Sequence, residues 1–373
     1  MKVAEITLDW LRTALSKRFP ELHISHFCLE DIGAGTGYGG TVLRATLQRT
    51  PDYLPASVIV KLPVTDALTL HNLKTTGVLL REAQFYRDLA TNDRLDVPEI
   101  YHVAIHDSDF EIIMEDLGSD KRNTLDDLSV DQIKQSLVSI AKLHSSFWDH
   151  DILQEAWLKP VSDGSRESRK ENLASVSRAI NILEASSHDV GYTLDCACRL
   201  QRLIPESPTT VPLPKPVTLV HGDFHSNNLY FSDRRVILFD WQLTGKGTPM
   251  MDVANLLVSS CDPKVYSENI DDFLATYHRA LVREGISTYS IRSLRRGYRD
   301  ALFFTFLKFL IVLGTVQLDN EDGEALKDSA IPRLDACARA ANAKLYCRLM
   351  PLMFLAIKFV NLCHAIFDPL RRP

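Results

Sequence analysis

The chain of 373 residues is 45% hydrophobic and 24% charged, the balance of a soluble globular protein with room for about two structural units or one large bilobal one. A formal net charge of -6 excludes the general basic footprint that nucleic acid or an anionic membrane would require. Seven cysteines, an odd number without a C-x-x-C pair, read as reduced thiols in an intracellular compartment rather than as a disulfide framework.

At the amino terminus, MKVAEITLDWLRTAL carries acids early and lacks the apolar segment of a signal peptide; Ile6, Leu8, Leu11 and Leu15 have helical spacing. ISHFCLEDI and TVLRATLQR alternate and read as two strands joined through the glycine-dense GAGTGYGG, residues 33–40. SVIVKLP is a third, β-branched strand that Pro63 ends. GVLLREAQFYRDLAT has helical spacing, and VPEIYHVAIHD and FEIIMEDLG add two further strands. From about residue 117 the character turns helical. SVDQIKQSLVSIAKLHSSFW is a helix with Ser129 as its N-cap and Asp131 in its first turn. Residues 160–210 are polar and mostly helical, ending in the proline-rich IPESPTTVPLPKP. HGDFHSNNLYFSDRRVILFDWQ, 221–242, then sets a crowd of polar groups beside the apolar run VILF, as a site mounted on a hairpin would. Nearly all that follows is helix. ALFFTFLKFLIVLG (301–314), broken by Lys308, and LMPLMFLAIKFVNLCHAIF (349–367), broken by Lys358 and His364, read as buried helices of a large core rather than membrane spans. The order predicts an α+β chain in two lobes: a small β-rich lobe over 1–116 and a large helical lobe over 117–373.

Several constellations in this order carry chemistry. GTGYGGTV fits G-x-G-x-x-G-x-V through Gly35, Gly37, Gly40 and Val42, where glycines let backbone N–H groups approach phosphates. An alternating strand follows instead of a helix, which suits the glycine-rich flap of a kinase better than a dinucleotide fold; an ordinary hairpin turn would also use such glycines. Lys61 stands inside an apolar strand, where an ammonium needs a partner, and Glu82 in the next helix supplies one unless the lysine sits on an edge and faces water. His221, Asp223 and Asn228 give H-x-D-x-x-x-x-N, the spacing of a kinase catalytic loop: the aspartate receives the proton of the attacking hydroxyl and the asparagine binds a metal. Asp240, after the hairpin, would bring a metal-binding carboxylate to the same cleft. A two-histidine metal site at His221 and His225 is the rival, and Gly222 argues against the helix it would need. His144 reads as a buried structural histidine, and Asp252 as an anchor for its helix. Cys196 and Cys198 read as small buried side chains.

The combination of HGDFHSNN with ILFDWQ resembles the aminoglycoside phosphotransferase and choline kinase superfamily. SVIVKLP, REAQFY, IIMEDL, DWQ and TPMMDVANLL look closest to its ecdysteroid kinase-like branch, over about residues 30–260. The resemblance implies a protein-kinase-like fold that phosphorylates small molecules with ATP and Mg2+, in the cytoplasm. It implies Asp223 as catalytic base, Asn228 and Asp240 as magnesium ligands, Lys61 on the ATP phosphates with Glu82 behind it, and backbone groups near Glu115 and Leu117 meeting adenine. Asp252 would brace the catalytic loop. Trp241-Gln242 replaces the Phe-Gly of protein kinases, and the short 243–250 segment leaves little room for an activation loop. The expected partner is a hydroxylated small molecule, with no nucleic acid or membrane. A non-catalytic nucleotide-binding module and a serine/threonine protein kinase are the alternatives.

Overall fold

Thr7 opens helix α1 (Leu8–Ser16), its hydroxyl accepting from the N–H of Trp10 at 3.2 Å. Residues 3–367 are described by the computed structural model, apart from 34–39, 76, 91–94, 108, 119–126, 162–165, 209–212, 233–234 and 316–320. After α1 come strands β1 (His23–Asp31), β2 (Gly40–Thr50) and β3 (Ser57–Pro63). Helices α2 (Ala67–Thr75) and α3 (Arg81–Asp88) precede β4 (Ile100–His106) and β5 (Asp109–Glu115). The strands form one antiparallel sheet in the order β1-β2-β3-β5-β4.

Alternation along the central strands decides what each face carries. Leu43, Ala45, Leu47, Val58, Val60 and Leu62 pack with Leu11 and Leu15 of α1 in a small core. Lys61, one residue out of phase with Val60 and Leu62, therefore points to the opposite face, toward α3. Its register opposite Val42 and Ile112 puts it in an interior strand, 8% exposed, so the edge-strand reading fails. Helix α2 was invisible in the pattern because its apolar residues are not gathered on one side.

The remainder is mostly helical. Helix α4 (Val130–Ser146) starts with a reciprocal capping box between Ser129 and Gln132, worth about 1 kcal/mol to a helix start. Helices α5 (Arg166–Ala185) and α6 (Gly191–Leu203) follow. Then two small antiparallel pairs interrupt: β6 (Thr218–Val220) with β9 (Gly245–Gly247), enclosing β7 (Leu229–Phe231) with β8 (Val236–Leu238). Helices α7 (Met250–Ser259), α8 (Pro263–Arg283), α9 (Ile291–Leu313), α10 (Glu321–Ala340) and α11 (Ala343–Phe367) complete the chain.

Helix α9 is the core helix its sequence promised, burying Leu294, Tyr298, Leu302, Phe306 and Leu310. The expectation for the last apolar run is corrected over its described side chains: in α11, Ala343 and Cys347 near the start are buried, but Leu349, Leu352, Met353 and Leu355 are exposed. Among the described residues no helix is long and apolar enough to cross a membrane. The six described cysteines are free thiols, and Cys196 is buried.

Candidate active site

Three elements meet at Lys61. Its Nζ lies 2.5 Å from Glu82 Oε2 on α3 and 3.2 Å from Asp240 Oδ1, just past β8. Burial alone would favour the neutral amine, but the Asp240 and Glu82 carboxylates hold Lys61 charged, above the ordinary lysine range. Asp240 occupies the left-handed backbone region (φ 64°, ψ 69°), which costs a non-glycine residue about 1–2 kcal/mol and aims its carboxylate back at the sheet lobe. The two residues are 179 apart in sequence, so this contact ties the sheet to the hairpin.

The loop after β6 presents Asp223 to the same cleft. Asn228 closes the turn: its Nδ2 donates to the Asp223 carbonyl at 2.9 Å and to Asp223 Oδ2 at 3.4 Å. No donor among the described residues reaches Oδ1 of Asn228, which leaves that oxygen for a cation. Asp240 and the Asn228 amide oxygen make a hard-oxygen donor set that fits Mg2+, an ion that keeps several waters and takes few protein ligands. The two-histidine alternative is disfavoured at His221, both of whose ring nitrogens are already engaged. His221 donates from Nε2 to the Phe239 carbonyl at 3.0 Å and accepts the Asp223 N–H at Nδ1, 3.3 Å. Burial pushes its pKa down and keeps it neutral.

The loop is braced from beneath by α7. Asp252 accepts the N–H of His221 at 2.7 Å and that of Gly222 at 2.9 Å. Its Oδ2 also accepts from His144 Nε2 at 3.1 Å, and His144 Nδ1 takes the Tyr277 hydroxyl at 2.7 Å. Burial opposes the Asp252 charge, yet His144 and then His221 hold its carboxyl below the usual range. His144 is thus structural in a defined sense: it orients the brace. Above the loop, Phe85 of α3 stacks on Trp241 with centroids 3.8 Å apart, and Trp241 touches the His221 ring at 4.5 Å.

Gly40 begins β2, where an added Cβ would meet the Leu62 carbonyl at 2.8 Å. Gly35 and Gly37 lie outside the described residues. Where the sheet ends, the N–H of Glu115 donates to the Glu99 carbonyl at 2.8 Å, so that group is not open to a base. Leu117 is half-buried between two anchors: Arg44 bonds Asp116 at 2.7 Å and the Gly118 carbonyl at 3.2 Å. Ser57 adds a 2.7 Å bond to Asp116, and the Gly118 N–H one of 2.9 Å. Burial favours the protonated form of Asp116, but Arg44, Ser57 and Gly118 hold its pKa down. A carboxylate with a depressed folded-state pKa stabilises above its unfolded pKa and loses that contribution as pH falls. The stability gap between wild type and Asp116→Asn should therefore be largest near neutral pH and shrink as pH drops below about 4, the unfolded-state value. Thermal unfolding across pH checks this; a gap that stays constant removes Asp116 from the account.

One group at the site went unread in the sequence. Lys308, taken as a break in an apolar run, reaches from α9 to Asp223 Oδ1 at 2.9 Å. Burial would raise the pKa of Asp223, but the Lys308 ammonium and the His225 ring, 3.3 Å away, hold it far below the carboxylate range. The signal was available: a lysine among phenylalanines needs a partner for the same reason Lys61 does. A cavity of about 500 Å³ between α8, α9 and α10 is lined by Tyr266, Tyr298, Arg292, Arg295 and Arg299 and contains none of the groups above.

The ecdysteroid kinase-like family model matches residues 34–287. No curated protein matches the chain. Among solved structures, a choline kinase from Cryptosporidium parvum Iowa II superposes with a TM-score of 0.54 at 13% identity, covering 94% of this chain and 98% of that one. A microcompartment-associated aminopropanol kinase gives 0.52 at 12% identity over 90% and 98%. An amicoumacin kinase in complex with AMP-PNP, Ca2+ and Ami gives 0.50 at 14% identity over 89% and 93%. At these identities the likeness is one of fold: two lobes of protein-kinase type.

Proposed function

The chain belongs to the ecdysteroid kinase-like family, and from that premise we propose that it transfers the γ-phosphate of ATP, with Mg2+, to a hydroxyl of a small organic molecule. The observation that carries this reading is the meeting of Lys61, Glu82 and Asp240, groups from three separate elements, over the loop that holds Asp223.

Lys61, kept charged and fixed by Glu82, would hold the nucleotide phosphates. Asp240 and the Asn228 oxygen would hold Mg2+, which when bound neutralises charge on the phosphates. Asp223 lines the cleft beside them. Its low proton affinity suits a loose transfer, in which the carboxylate orients the hydroxyl and takes its proton late. The carbonyl of Glu115 and the N–H of Leu117 are the backbone groups offered to adenine. Aminoglycoside, amino-alcohol, sugar and sterol-like hydroxyls are the acceptor classes to be tried. A protein substrate is disfavoured, because β9 and α7 follow the hairpin at once and leave no activation segment.

The test follows γ-labelled phosphate from ATP into fractionated small-molecule extracts. Wild type should yield a labelled product. Asp240→Ala should yield none and should lose magnesium-dependent nucleotide binding by calorimetry. Wild type that binds nucleotide yet labels nothing across all four acceptor classes would instead favour a non-catalytic nucleotide-binding module.

A further inference from the structure

Lys308 does more than neutralise a charge. Its Nζ donates to the Gly222 carbonyl at 2.9 Å, to Asp223 Oδ1 at 2.9 Å and to Asn255 Oδ1 at 3.2 Å. An ammonium has three N–H donors, and each is used. Every acceptor belongs to the loop or to the helix beneath it. Asn255 is itself turned by a second bond, its Nδ2 donating to the Phe224 carbonyl at 3.0 Å. So α9 and α7 together hold the backbone on both sides of Asp223. The remaining carboxylate oxygen, Oδ2, faces His225 and Asn228. Lys308 and Asp223 keep 31% and 24% of their side chains exposed, and a pair this open adds little to stability. Its value lies in geometry.

We infer that Lys308 is a positioning residue for phosphate transfer, clamping one oxygen of Asp223 and the Gly222 carbonyl so that the other oxygen is presented to the acceptor hydroxyl. The inference rests on the proposed function and adds a component from a helix 85 residues away from the loop. A methionine at this position keeps the apolar stem and removes all three donors. An arginine keeps the charge and has donors enough to bond Asp223 Oδ1 and the Gly222 carbonyl, leaving Oδ2 free.

The experiment compares wild type, Lys308→Met, Lys308→Arg, Asp223→Asn and the Lys308→Met/Asp223→Asn pair. Phosphate transfer is followed into water and into the fractionated extract, and AMP-PNP binding with Mg2+ is measured by calorimetry. Misplacing a reacting group by an ångström costs about a hundredfold, the loss expected in Lys308→Met, with nucleotide affinity unchanged. Lys308→Arg should recover most of it. In the Asp223→Asn background, Lys308→Met should cost nothing further, because the clamp acts only through that carboxylate.

Three results would overturn the inference: wild-type transfer in Lys308→Met, a parallel loss of nucleotide affinity that marks a merely structural role, or losses that multiply in the paired variant. Wild type that transfers no phosphate to water or any acceptor removes the kinase reading, and the role of Lys308 falls with it. That failure is distinct, because it shows before any variant is compared.

Discussion

Asp223→Asn should lower phosphate transfer by roughly a hundredfold to ten-thousandfold, the range for removing a general base. The substitution keeps the shape of the side chain, so the loop should stand. What it removes is the anion that Lys308 and His225 face and that would receive the hydroxyl proton. Nucleotide binding should survive, because the Lys61–Glu82 pair and Asp240 lie on other elements. Single-turnover transfer with labelled ATP separates the two effects. Turnover close to wild type would take the base role from Asp223 and leave it as a charge partner of Lys308.

Gly222→Ala should abolish transfer and also destabilise the protein. Gly222 has φ +81°, and a Cβ there would lie 2.1 Å from the Leu243 carbonyl oxygen and 2.8 Å from its carbon. Both atoms are backbone, so no rotamer change relieves the clash. The loop or the Leu243 turn must move, and either movement drags the N–H groups of His221 and Gly222 off the buried Asp252. A buried carboxylate that loses its donors costs about 1–3 kcal/mol beyond the strain at positive φ. Urea unfolding and transfer assays should therefore fall together, unlike the Asp223 variant, where only transfer falls. A stable, active Gly222→Ala protein would contradict the geometry of this turn.

The parts of the site legible in sequence were those whose chemistry is compressed into local spacing. H-x-D-x-x-x-x-N fixes its own loop, and a lysine in an apolar strand announces a need for charge. The fold brings Lys61, Glu82 and Asp240 together. Lys308 was missed because its partner is remote and its helix is legible only as apolar. Strands β6 and β9 have three residues each, too few for a period of two to emerge, and pair only because the hairpin returns the chain. Hydrophobicity alone misjudged α11, since an apolar run says nothing about whether a neighbour exists to cover it.

The stack of Phe85 on Trp241 fastens α3 to the hairpin. Both rings are fully buried, face to face at 8°, and the indole N–H is bonded to the Leu238 carbonyl at 3.2 Å. Phe85 shares its short helix with Glu82, and Trp241 adjoins Asp240. Rotating Asp240 out of the cleft would tear a large aromatic from a filled socket, and swinging α3 away would leave a void of the same size. Both displacements are costly, so the stack favours the arrangement in which Glu82 and Asp240 face Lys61 together. A ligand that depends on opening the space between α3 and the hairpin would find it already filled by these two rings.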